Sequence, residues 1–318
     1  MTPKERAVAA FNLTEPDDIV PTFELAFELG EEMLGKTHVS TQMIDAASSA
    51  QERERLIKEN VELYIEEAEA LDYSIIPINS GPGKLEYLVE TFKYLKSLVG
   101  DKYLLGMSGD GTLSIPDGSH MMELVESITE RPDELHTLLQ SYVDGTIHCA
   151  KVLRDAGADT VFMCADYCFN AGPFLSPKMF REFVTTYLTQ QVARLKELGM
   201  YTVKHTDGDL MPVLDQLVEA APHALHSIDP QARMDLRKVK EIVGDKVALC
   251  GNVHCGMLHN GTIPQIIEDS KRSLREGMPG GGYFFCTSNI PFYGLPLENY
   301  LAMLEVRKEF GRYDKKIS

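Results

Sequence analysis

The chain has 318 residues, 44% hydrophobic and 25% charged, with a formal net charge of −17. This is the composition of a globular chain long enough for a large core, while so acidic a surface repels phosphate backbones and anionic membranes and argues against nucleic-acid binding. No run of eighteen apolar residues occurs, and the first residues, MTPKERAVAAFN, lack the apolar centre of a signal peptide, so no membrane span and a cytoplasmic location are expected.

In chain order, Thr2 can cap a first helix, with Pro3 in its opening turn and Glu5 three residues on. Eight short apolar or β-branched runs then read as strands: Val20–Leu25, Ser74–Ile78, Tyr103–Met107, Thr160–Cys164, Tyr201–His205, Ala224–Ile228, Val247–Gly251 and Tyr283–Cys286. Between them lie helical patterns at Ala50–Leu71, Pro132–Ala156, Pro177–Leu198 (after the N-cap Ser176), Pro212–Ala220, Leu236–Val243, Pro264–Glu276 and Leu297–Phe310. The segment Gly109–Glu130 is too long for a tight loop and reads as an excursion over the mouth of a barrel. Six cysteines without a C-x-x-C pair (Cys149, Cys164, Cys168, Cys250, Cys255, Cys286) read as small buried residues, not a disulfide framework.

Strand and helix alternating in this way call for parallel pairing with right-handed crossovers. The expected fold is α/β, an eight-stranded (β/α)8 TIM-type barrel with an N-terminal helix, one domain over residues 1–318. A doubly wound open sheet is the other arrangement the alternation allows.

In such a barrel the reactive groups stand at the C-terminal ends of the strands. Taken run by run, these ends carry Glu24 and Glu28; Asn79; Ser108 and Asp110; Asp166 and Tyr167; His205, Asp207 and Asp209; Ser227 and Asp229; Asn252, His254 and Cys255; and Cys286, Ser288 and Asn289. Asp207-Gly208 and Asp229-Pro230 are also ordinary turn dipeptides. His205 has no such excuse. It ends the buried run MYTVKH, and Asp207 two residues on lies on its side of the strand if the strand persists. That pair can present an imidazole and a carboxylate to one Zn2+, with a further ligand from Glu24, Cys286 or Cys255. Equally, it can act as a histidine acid or base oriented by a carboxylate.

Four blocks, NAGPFLSPKMFREFVTTYL (Asn170–Leu188), HTDGDLMPVLDQLVE (His205–Glu219), CGNVHCGMLHNGT (Cys250–Thr262) and GGGYFFCTSNIPFYGLPLENYLAML (Gly280–Leu304), resemble the uroporphyrinogen decarboxylase superfamily. The resemblance runs from about residue 160 to the C-terminus and more loosely over the first third. It implies a (β/α) barrel and one of two chemistries: cofactor-free decarboxylation of a tetrapyrrole, or methyl transfer between a small molecule and cobalamin carried by a separate corrinoid protein. The decarboxylases carry an arginine segment, roughly R-Q-A-G-R, after the first strand. The matching region here is FELAFELGEEMLGK, and no arginine occurs from Ala7 to Glu52. A rim of Glu24, Glu28, Asp166 and Asp207 would repel a ligand bearing eight carboxylates.

The family's zinc methyltransferases show His-x-Cys after the fifth strand and a Cys after the eighth. By this resemblance the histidine is His205, the first cysteine position holds Asp207 and the last holds Asn289, with Cys286 three residues earlier. A metal site would then be oxygen-rich, drawn from His205, Glu24, Asp207 and Cys286, and suited to activating an ether or alcohol oxygen. The expectation is a methyltransferase that demethylates a small, methoxylated substrate onto a corrinoid partner. His205, Asp207 and Asp166 would be catalytic, and Glu24, Tyr167, Asn79, Asn252 and Asn289 would contact substrate. The alternatives are a tetrapyrrole decarboxylase and a non-catalytic barrel that binds a corrinoid protein or small ligand. A homodimer is left open.

Overall fold

Runs such as IIPI and TVFM, apolar on both sides, become parallel strands because helices cover one face and the barrel interior the other. The computed structural model describes residues 1–79 and 83–313. Among these residues one sheet has seven parallel strands: β1 (Ile75–Ile78), β2 (Leu104–Ser108), β3 (Thr160–Met163), β6 (Tyr201–His205), β7 (Ala224–His226), β8 (Ala248–Cys250) and β9 (Tyr283–Phe284). A small antiparallel hairpin, β4 (Cys168–Phe169) with β5 (Gly172–Pro173), stands apart from it.

The eighth place is filled, but not by the strand expected at Val20–Leu25. The Ser74 amide donates to Thr22 O at 2.7 Å and the Phe285 amide to Pro21 O at 3.0 Å, so this segment touches both free edges of the sheet. It makes no regular ladder, and the reason lies in its donors. Pro21 has no N–H. The Val20 amide goes to Gly311 O, and the Thr287 amide is taken by the Glu24 carboxylate. The barrel closes through a handful of bonds and through packing.

Two apolar layers result. Inside the barrel lie Phe23, Leu25, Ile75, Leu104, Phe162, Val203, Ala224, Ala248, Cys250, Phe284 and Cys286. Phe23 stacks on Phe162 at 5.4 Å and meets Phe284 edge-on at 5.4 Å. Gly106 in the middle of β2 is there for Phe162: a Cβ would lie 2.3 Å from its ring. The N-terminal helix Pro3–Phe11, with the Thr2–Glu5 capping box expected from the sequence, plugs the floor. Its Phe11 stacks on Tyr201 at 4.7 Å and packs on Phe284 at 4.7 Å. The larger outer layer joins the strands to the surrounding helices.

Several expected elements shift. Leu85–Val99 is a helix that the strand-and-helix count passed over, though Leu85, Leu88, Val89, Phe92 and Leu95 carry the helical period. The expected helix Pro177–Leu198 contains a π-turn at Arg181–Thr185. There the hydroxyls of Thr185 and Thr186 donate to carbonyls five residues back. The run Ala224–Ile228 stops pairing at His226, because Ser227 and Ile228 take positive φ of 91° and 46°. The excursion after β2 is a loop followed by a helix at Met121–Glu130, and it returns to the barrel, where the Ile115 amide donates to Asp166 O at 2.8 Å. No helix of the described residues is long and apolar enough to cross a membrane, and all six cysteines are free.

Candidate active site at the C-terminal rim

β6 alternates as its sequence dictates. Val203 and His205 face the interior, while Lys204 faces the outer layer. His205 is therefore carried to the top of the barrel filling, nearly sealed at 5% exposure. Beyond it the chain turns at Asp207-Gly208. Gly208 has φ of 93°, and a Cβ there would lie 2.6 Å from Cys168 O of the β4–β5 hairpin, so this position requires glycine. The tight turn brings the Asp207 carboxylate back over the rim.

Three groups meet there. His205 Nε2 lies 3.9 Å from Asp166 Oδ1 and 3.8 Å from Asp207 Oδ1. Among the described residues, Asp166, His205 and Asp207 form the one group of three or more candidate metal ligands whose donor atoms all lie within 4.8 Å of one another. Each carboxylate is held in place. The Asp207 amide donates to Asp166 Oδ1 at 2.9 Å. Ser227 Oγ donates to Asp207 Oδ1 at 2.6 Å, and Asn289 Nδ2 to Asp207 Oδ2 at 2.6 Å. The positive φ of Ser227 is the bend that aims this hydroxyl, a strain of the kind that collects at functional sites. No arginine or lysine among the described residues pairs with either carboxylate.

The electrostatics follow from burial and crowding. Burial, with the Asp166 and Asp229 charges adding to it, pushes the Asp207 carboxyl up to about 6, against the Ser227 and Asn289 hydrogen bonds. Burial pushes the pKa of His205 down, although the Asp166 charge opposes it. The ring is thus neutral at physiological pH. Under the rim Lys204, fully buried, pairs with Asp110 at 2.8 Å and donates to Met163 O and Ala165 O. Burial would raise the Asp110 carboxyl, but the Lys204 charge together with hydrogen bonds from Lys204, Thr112 and the Ala165 amide outweighs it and holds the group below the usual range. This ion pair fastens the ends of β2, β3 and β6 together.

The other residues expected at the site take different places. Tyr167 is buried, its hydroxyl bonded to Thr112 and its ring 4.1 Å below the Lys204 ammonium. It supports the rim from beneath. Asn79 bridges Ser108 and the Leu25 carbonyl. Asn252 is spent on structure: its amide donates to Ile228 O at 2.8 Å and its carbonyl accepts from Arg272 at 3.1 Å. Glu24 faces the outer layer, as its interior neighbours Phe23 and Leu25 require. Its carboxyl accepts from the Thr287 amide and hydroxyl and from Tyr300, and burial pushes it up to about 8. Cys286 is sealed in the barrel interior, and burial raises its thiol well above the ordinary value. Glu24, Cys286 and Cys255 all lie outside the His205 ligand group.

Two residues of the site were not singled out from sequence. His226, in the run ALHSI, sits opposite His205 in the β6–β7 register, and the two Nδ1 atoms are 2.9 Å apart. A histidine inside an apolar run was the available signal. Cys164 follows β3, two residues before Asp166, and is reachable from outside although its sulfur is crowded by protein. Loss of water around its sulfur, opposed by Lys204 and reinforced by Asp110, Asp166 and Asp207, pushes this thiol up to about 12.

One imidazole nitrogen and two carboxylates at these separations fit a divalent cation of the zinc type, three ligands leaving one tetrahedral position unfilled by protein. The same groups can also pass a proton to an oxygen lying between them.

Comparison with known proteins places this geometry in context. The family model for uroporphyrinogen decarboxylase (URO-D) matches residues 58–310. The uroporphyrinogen decarboxylase of Pseudoalteromonas atlantica is 26% identical over 260 residues, which cover 77% of this chain and 70% of that protein. The enzyme of the same name from Coxiella burnetii is 26% identical over 195 residues, 59% of this chain and 50% of that one. Among solved structures, a methyltransferase from Methanosarcina mazei superposes with a TM-score of 0.74 at 19% identity, over 98% of this chain and 99% of that one. At that identity the likeness is one of fold, and it extends the barrel match to nearly the full length of both chains.

Proposed function

Because the chain belongs to the uroporphyrinogen decarboxylase family, we propose that it is a corrinoid-dependent methyltransferase. In this reading it takes a methyl group from a small methylated substrate, a methoxylated compound first among the candidates, and delivers it to cobalt on a separate corrinoid protein. One observation carries the proposal. His205, Asp207 and Asn289, the three positions that resemblance aligns with a methyltransferase metal site, meet at one point of the rim.

The departing group in such a transfer is an oxygen that keeps the bonding pair as its bond to the methyl carbon breaks. It therefore needs a positive partner. Asp207, held near a pKa of 6 by burial, can carry a proton to that oxygen, and His205 Nε2 faces the same space. Asp166 fixes the Asp207 backbone and adds a second acceptor. A divalent metal held by His205, Asp166 and Asp207 would supply Lewis acidity to the same oxygen. Ser227 and Asn289 keep the Asp207 carboxylate from swinging outward.

The names of the sequence relatives favour the second reading, tetrapyrrole decarboxylation. Against it stand the absence of arginine from Ala7 to Glu52 and two rim carboxylates that face His205 but, among the described residues, no arginine or lysine. A polyanionic substrate would meet repulsion there.

The test is a spectroscopic screen. Co(I) cobalamin is mixed with the protein and a panel of methoxylated, methylamine and thiol compounds, and its visible spectrum is followed. Spectral conversion with one class, lost in His205→Ala, supports the reading. Release of carbon dioxide from uroporphyrinogen, with no conversion in the panel, would replace it by the decarboxylase.

A further inference from the structure

His226 makes one polar contact, with His205, and the arithmetic of that contact is restrictive. The two Nδ1 atoms are 2.9 Å apart, so one proton lies between them. Each imidazole keeps at least one ring proton, and among the described residues no carboxylate lies against the shared nitrogens to hold a third, so the pair carries two protons in all. The second proton has two places to go. One is His205 Nε2, which faces the carboxylates of Asp166 and Asp207 at 3.9 and 3.8 Å. The other is His226 Nε2, a sealed atom with no hydrogen-bond partner. Its interior neighbours are Phe23, with ring centroids 6.1 Å apart, and Cys250 opposite it on β8. A buried N–H with nothing to donate to is costlier and rarer than a bare acceptor nitrogen.

We propose that His226 is a positioning residue that fixes the tautomer of His205, so that the rim is presented with an N–H donor at Nε2. The shared proton then belongs to His226 Nδ1, which donates to the bare Nδ1 of His205. His226 Nε2 stays bare in the core. The arrangement gives His205 a fixed ring orientation and a fixed chemical sense: it meets a substrate oxygen as a hydrogen-bond donor. This deepens the proposed methyl transfer and rests on that reading for its purpose, because a donor is what a departing oxygen requires. A metal at His205 Nε2 must displace this proton, and the pair can then stay neutral only by protonating the sealed His226 nitrogen. The cost of that buried orphan donor is set against metal binding at His205.

The experiment is nitrogen–proton correlation NMR of the full-length chain with 15N-labelled histidine side chains, first without metal. Protonated and bare ring nitrogens differ widely in 15N shift, so each tautomer is read directly. The expected spectrum shows His205 as the Nε2–H form and His226 as the Nδ1–H form. In His226→Leu the Nδ1–H pattern should vanish, and the Nδ1 signal of His205 should move toward that of a nitrogen accepting no hydrogen bond. His226→Asn, whose amide can again donate to Nδ1, should restore the shift. A wild-type spectrum showing His205 as Nδ1–H overturns the proposal without any variant, and so does a His205 signal that ignores His226→Leu. Both outcomes are independent of the cobalamin screen. Failure of the screen with the expected tautomers would remove the methyltransferase and leave the histidine pair standing.

Discussion

Asp207→Asn should stabilise the fold at neutral pH while abolishing activity, and the reasoning can be checked quantitatively. The folded protein holds the Asp207 proton up to about pH 6, whereas an aspartate in the unfolded chain gives it up near 3.8. The native state binds this proton more tightly, so stability falls as pH rises through that window and is flat above it. Some two units at roughly 1.4 kcal/mol each would be about 3 kcal/mol, and the carboxylate's partial exposure cuts this to about 1–2 kcal/mol. Asparagine cannot ionise. The difference in unfolding free energy between Asp207→Asn and the wild type should therefore grow by about 1–2 kcal/mol between pH 4 and pH 7 and then stop growing. Any effect of swapping one Asp207 oxygen for an amide, such as a lost bond from Asn289, is independent of pH and drops out of that growth. Urea unfolding of both proteins, read by circular dichroism at half-unit pH steps, measures it. A difference that stays constant with pH, or that shrinks toward neutrality, would refute the claim that Asp207 is desolvated beside other acids.

Glu24→Gln should behave likewise but at higher pH: its folded-state pKa of about 8 means that the stability gained by the variant keeps rising up to about pH 8, measured by the same unfolding series. Lys204→Met should cost about 3–5 kcal/mol by stranding the Asp110 charge, and the double variant with Asp110→Asn should recover a large part of that in a denaturation cycle. Phe11→Ala should cost about 3–5 kcal/mol in thermal or urea unfolding, because it empties the floor of the barrel between Tyr201 and Phe284. If zinc binds, equilibrium dialysis should show one ion per chain in the wild type, with at least a tenfold weaker site in His205→Ala.

The barrel was legible because its evidence is periodic. Seven of the eight apolar runs pair within a residue or two of their expected bounds, and the alternation of β6 alone places Val203 and His205 inward. The eighth run failed as a ladder strand for a reason visible in one residue, Pro21, whose effect depends on which edges the segment must join. The missed helix Leu85–Val99 has ordinary helical spacing. At the rim, strand ends pointed to His205, Asp166, Asp207 and Asn289, which the structure brings together, but not to the other partners each one keeps. Asn252 and Glu24 also come from strand ends, yet they turn to Arg272 and to Tyr300. A side chain beyond a strand end has lost the two-residue period, and backbone turns such as those at Ser227 and Ile228 decide its direction. His226 and Lys204 escaped notice for the opposite reason. They lie within strands, where polar residues are justified only by partners on other strands, and such partners are not encoded locally.

The two chemistries of the family place opposite demands on the rim, and this allows charge to discriminate where fold cannot. A tetrapyrrole with many carboxylates needs guanidinium groups convergent on the mouth, each bond charge-assisted. Here the mouth gathers Asp166 and Asp207, and the nearest buried cation, Lys204, is already neutralised by Asp110 and turned beneath the rim. Desolvated acids side by side are a standing cost, seen in the raised pKa of Asp207, and such costs cluster at functional sites. A proton or a cation shared among His205, Asp166 and Asp207 relieves it, and the raised pKa keeps that proton available to an oxygen that gains negative charge as its bond to carbon breaks. Within the proposed methyl transfer, this charge balance suits a neutral small donor whose departing oxygen takes up the proton as it gains charge, as an ether or alcohol methyl donor would.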